Sequence, residues 1–76
     1  LMSLRKVSDL RKGETGRILS FTDKLMSLKL LEMGCLPGCD VRVDAIAPFG
    51  DPICLSIGGQ YSLSLRVNEA SVIVIE

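Results

Sequence analysis

The sequence predicts a mainly β fold, a small barrel of about five short strands with one inserted helix. Three observations predict it. From Val41 onward the chain runs in short stretches of alternating apolar and polar residues, the period of a strand with one buried face. Glycine and proline punctuate those stretches, as at Pro48-Phe49-Gly50-Asp51-Pro52 and Gly58-Gly59. One segment, about residues 23–33, instead has helical spacing bounded by capping residues and a glycine. Closing so small a sheet on itself hides edges that would otherwise pair with other chains.

Taken in order, Val7-Ser8-Asp9-Leu10 and Lys12-Gly13 read as a turn, and Gly16 to Phe21 as a first strand. Thr22 is the expected N-cap of the helix, with Asp23 in its first turn, where negative charge suits the helix dipole. Gly34 ends the helix by supplying a left-handed residue, and Pro37 forbids continuation. Val41 to Ala47 is β-branched and partly alternating. Ile53, Leu55 and Ile57 form a half-buried strand, and Gly58-Gly59-Gln60 a tight hairpin. Leu63, Leu65 and Val67 continue the alternation. A short helical turn is expected near 68–70, and Ser71 to Ile75 form the last strand.

A chain of 76 residues makes one domain, 1–76, which buries roughly 60–65% of its unfolded surface. The core must be aliphatic, because Phe21, Phe49 and Tyr61 are the only aromatic residues. Net charge is zero but uneven. Residues 1–17 hold five bases against two acids, and the remainder four bases against seven acids. A neutral chain with few aromatics is poorly suited to nucleic acid. No apolar run approaches the ~20 residues needed to span a bilayer, and no signal-peptide core opens the chain. Membrane insertion is therefore not expected, and the protein is placed in the cytoplasm.

Several segments together resemble the FeoA family. They are Leu10-x-x-Gly13-x-x-Gly16-x-Ile18, then Leu30-Leu31-Glu32-Met33-Gly34-Cys35-Leu36-Pro37-Gly38, and Ala47-Pro48-Phe49-Gly50-Asp51-Pro52-Ile53. Leu63-Ser64-Leu65-Arg66 follows, then Ala70 and Val72-Ile73-Val74. The resemblance implies an SH3-like barrel. It also implies a role beside FeoB, the membrane ferrous iron transporter with a cytoplasmic GTP-binding domain, which would bring the protein to the inner face of the membrane. A similar domain ends some iron-dependent repressors; with no helix-turn-helix in the given sequence, the free-standing form is expected here. Two alternatives stay open: a regulatory or oligomerisation module of a metal-responsive system, and a direct transition-metal-binding protein. Self-association fits either reading.

The residues give catalysis little to work with. There is no histidine, the carboxylates are scattered, and no phosphate loop of P-loop spacing occurs. No enzyme activity and no cofactor are expected. Cys35, Cys39 and Cys54 are read as reduced thiols. Cys35 and Cys39 are the weak candidates for a metal, but a zinc or iron–sulfur site wants four soft or imidazole ligands in tighter pairs. Cys35 fits an apolar position of the family pattern, so a structural role is expected.

The helix is more informative. Met26, Leu30 and Met33 form one stripe, which the family pattern puts into the core, while Leu25, Leu28 and Leu31 lie elsewhere on the circumference. Either the second stripe is an exposed partner surface, or Leu4, Val7 and Leu10 cover it. The loop around Phe49 and Asp51 is the second candidate surface for a partner. Arg66 should point outward or pair with an acid.

Overall fold

The computed structural model describes residues 4–76. Its elements, in order, are strand β1 (Arg5–Lys6), a 3-10 turn (Val7–Asp9), β2 (Thr15–Phe21), helix α1 (Lys24–Glu32), β3 (Asp40–Ile46), β4 (Ile53–Ile57), β5 (Tyr61–Leu65), helix α2 (Val67–Ala70) and β6 (Ile73–Ile75). All strands join one antiparallel sheet in the order β1-β6-β2-β3-β4-β5. That sheet coils around an aliphatic core, with β1 and β5 as its edges. Among the described residues the barrel therefore has six strands, one more than the five or so expected. The additional one is the two-residue β1, whose Arg5 and Lys6 pair with Ile75 and Val74.

Strand alternation places the core. Val41 and Val43 of β3 and Ile53, Leu55 and Ile57 of β4 are buried, while Asp40 and Arg42 face solvent. Each such side chain removed from water contributes about 1.5–3 kcal/mol before the entropy of ordering is subtracted. Ile18, Leu65, Ile73 and Ile75 complete the wall, and Val7, Leu10 and Cys35 fill its ends. Two bulges re-aim side chains. One lies between Val43 and Ala45, freeing Asp44 to take hydrogen bonds from Arg42 Nε at 2.9 Å and from the Ser56 hydroxyl. The other lies between Ile18 and Ser20, and turns Leu19 toward solvent.

Several boundaries differ from the sequence expectation; the last strand begins at Ile73 rather than Ser71, because Ser71 and Val72 close the turn after α2. The helix spans Lys24–Glu32 and is capped by Asp23, whose carboxylate accepts from the Met26 N–H at 2.9 Å. Thr22 instead donates its backbone N–H to Val72 O, just beyond the ends of β2 and β6. Val67 leaves the strand and opens α2, because its N–H goes to the Asp51 carboxylate at 3.0 Å rather than to a ladder partner.

Candidate functional site

Helix α1 is fastened to the barrel at three points. Its inner stripe is Leu30, fully buried, with Met26 and Met33 packed against the same core. Its last turn is held by Lys29, whose ammonium lies 2.5 Å from the Glu69 carboxylate on α2. Glu69 is only 5% exposed, and its other oxygen accepts from the Arg66 N–H at 2.8 Å, capping α2. The Lys29 ammonium first, and the Arg66 N–H second, hold this carboxyl below its ordinary range despite its burial.

The helix exit is the third point. Gly34 has φ +97°, and the Tyr61 hydroxyl donates to its carbonyl at 2.8 Å. A Cβ at residue 34 would come within 2.0 Å of that hydroxyl oxygen. Glycine is thus required both by backbone conformation and by the ring lying over it.

With the inner stripe in the core, the other leucines face outward. Leu25 is 83% exposed, Leu28 61% and Leu31 38%, and Leu36 in the following loop continues the surface. Leu4, Val7 and Leu10 do not cover them. Val7 and Leu10 enter the core, and Leu4 is itself exposed. Phe49, at the tip of the β3–β4 hairpin, is 99% exposed. Asp51 beside it is engaged with the Val67 N–H and lies 3.9 Å from the Arg66 guanidinium. Asp51 thus ties its loop to α2, and Phe49 is the side chain the loop presents.

The three cysteines differ in burial. Cys35 is fully buried, and its thiol is pushed up to about 11 by that burial, with Cys39 and Glu69 adding to the effect. A soft metal needs thiolates, so this position is a poor ligand near neutral pH. Cys39 is half-buried against the core, and Cys54 Sγ sits 3.5 Å from Ser64 Oγ on β5. Among the described residues no three His, Cys, Asp or Glu side chains are grouped to hold a metal ion.

Two shallow depressions of about 410 and 310 Å3 share Thr15 and Asp40. Two of the charged residues lining them are paired with each other: Arg17 lies 3.3 Å from Asp40, whereas Arg42 lies 2.9 Å from Asp44, outside the depressions. Sequence reasoning missed the Lys29–Glu69 pair and the Tyr61 contact. The acid three residues after Arg66 is a local capping signal, whereas the other two contacts join distant segments.

The sequence model of the FeoA domain matches residues 5–76. The chain belongs to the FeoA family. FeoA domains are small accessories of ferrous iron transport, and solved structures agree with the assignment. A FeoA-like protein from Clostridium acetobutylicum is 28% identical with a TM-score of 0.88, the match covering 100% of this chain and 88% of that one. Iron(II) transport protein A from Clostridium thermocellum is 36% identical with a TM-score of 0.84, over 95% of this chain and 44% of that one. Stenotrophomonas maltophilia FeoA, an SH3 domain protein solved with zinc, is 25% identical with a TM-score of 0.78, over 95% and 89%. No curated protein matches the chain significantly in sequence. The FeoA fold here is accordingly an SH3-like barrel, and no helix among its described residues is long and apolar enough to cross a membrane.

Proposed function

We propose that this FeoA domain is a non-enzymatic adaptor in the cytoplasm, which docks on the GTP-binding domain of a FeoB-type ferrous iron transporter. The observation that carries the reading is the outward leucine face of α1: Leu25, Leu28 and Leu31, on a helix fixed at its last turn. Phe49, on the loop held by Asp51, offers a second contact. An adaptor of this kind changes transport by binding one transporter conformation more tightly than another.

Calorimetric titration into that GTP-binding domain, in apo, GDP and non-hydrolysable GTP states, tests the proposal. Saturable binding with unequal affinities is expected. Burying one leucine contributes about 1.5–3 kcal/mol, so Leu28→Asp with Leu31→Asp should weaken binding at least about tenfold. Both side chains are exposed, so the double variant should still fold. Global unfolding of the variant, or unchanged affinity, would reject the leucine face as the site.

A further inference from the structure

We infer that the outward face of α1 also pairs with the same face of a second copy of this chain, helix against antiparallel helix, about a two-fold axis at Leu28. The inference needs only this chain and stands apart from the transporter reading. In an antiparallel pair centred on one residue, the position n residues before the centre meets the position n residues after it in the partner. Around Leu28 this brings Leu25 onto Leu31 of the second copy, and Lys24 onto its Glu32. At about 100° per residue, Leu25 and Leu31 lie about 60° to either side of Leu28, and Lys24 and Glu32 about 40°. All five side chains share one face, and all are exposed. The face is self-complementary in shape and in charge. Lys29, the remaining charged residue of α1, is held by Glu69.

A second feature points the same way. Lys24 is the first residue of α1 and Glu32 the last. Both charges oppose the helix dipole, which favours acids at the start and bases at the end. They do not stabilise each other within one helix, since about 12 Å of axis separates them. Among the described residues neither has an ion-pair partner. Across the two-fold axis each finds one, twice over by symmetry.

The seam is short. A nine-residue helix is about 13 Å long and falls below the roughly 800 Å2 per partner of a standard interface. The pair is therefore weak, and forms where the protein is concentrated or held locally. Since the two occupants use one face, the paired form cannot dock through α1, and pairing holds the face in reserve.

Sedimentation velocity from about 10 μM to about 1 mM reads the pairing, with dissociation expected in the high-micromolar range. Lys24→Glu and Glu32→Lys should each weaken it at least about tenfold, because each replaces two attractions by two repulsions. An equimolar mixture of these two variants should pair again, as should the doubly swapped K24E/E32K, since opposite charges meet once more. Both single changes suit the helix dipole, so each variant should melt no lower than the parent, which separates lost pairing from lost folding. A parent that stays monomeric at the highest concentration would overturn the inference. So would single variants that pair as before, or a mixture that does not recover.

Discussion

Replacing Gly34 by alanine should be among the most damaging single-methyl changes in this protein. Two effects add. A residue with a Cβ at φ +97° pays about 1–2 kcal/mol for the left-handed backbone. The new methyl would also sit 2.0 Å from Tyr61 Oη and 2.8 Å from Cζ, so the ring must swing away. Tyr61 is 43% exposed and has room to move, so the loss is its hydrogen bond to Gly34 O, about 1 kcal/mol. The total, about 2–3 kcal/mol, lowers Tm by roughly 10–20 °C in a domain of this size. Thermal unfolding followed by circular dichroism measures it, alongside Tyr61→Phe, which should lose only about 1 kcal/mol. In a Tyr61→Ala background the Gly34→Ala change should lose only the backbone part. A Gly34→Ala variant that melts within about 2 °C of the parent would refute the reasoning, because even the smaller effect alone exceeds that.

Further predictions concern the titrating groups. Glu69→Gln removes the Lys29 ion pair, and at pH 7 should lower Tm by several degrees, in line with a loss of about 1 kcal/mol. Because the folded Glu69 carboxyl lies below its ordinary value of 4.5, its stabilisation is present above that pH and fades as pH falls through the lowered value. The melting difference between parent and variant should therefore close in acid. A gap that persists unchanged to pH 2 would contradict this. With Cys35 pushed up to about 11 and buried, iodoacetamide at pH 8 should alkylate Cys39 and Cys54 well before Cys35 in the folded protein. Peptide mass spectrometry over a time course would show the order, and early labelling of Cys35 would contradict the burial argument.

Much of the fold is legible from local pattern. The strand at Ile53–Ile57 alternates without interruption, and the structure buries the three residues that the period selects. Where pattern fails, a long-range contact overrides it. Val67 continues the alternation of Leu63 and Leu65, yet the Asp51 carboxylate, from a different hairpin, takes its N–H and starts a helix. Strand β1 has two residues and no period at all, and exists only because β6 lies beside it. The candidate surface is a similar case. Both stripes of α1, Met26-Leu30-Met33 and Leu25-Leu28-Leu31, are apolar in sequence, and showing that the second is uncovered needs the position of the barrel. Val7 and Leu10 settle it by entering the core and leaving Leu25, Leu28 and Leu31 uncovered.

The place of β6 in the sheet has a consequence for how the protein is made. It is the last element of the fold in sequence, yet it lies between β1 and β2, hydrogen-bonded to both. At about 5–20 residues per second, a ribosome delivers β2 roughly 3–10 s before the strand that joins it to β1. Until Ile73, Val74 and Ile75 clear the exit tunnel, β2 has one unpaired edge and the core stands open on that side. Folding of this domain must therefore be completed after translation has passed its final strand, and until then the nascent chain offers that edge of β2 to chaperones.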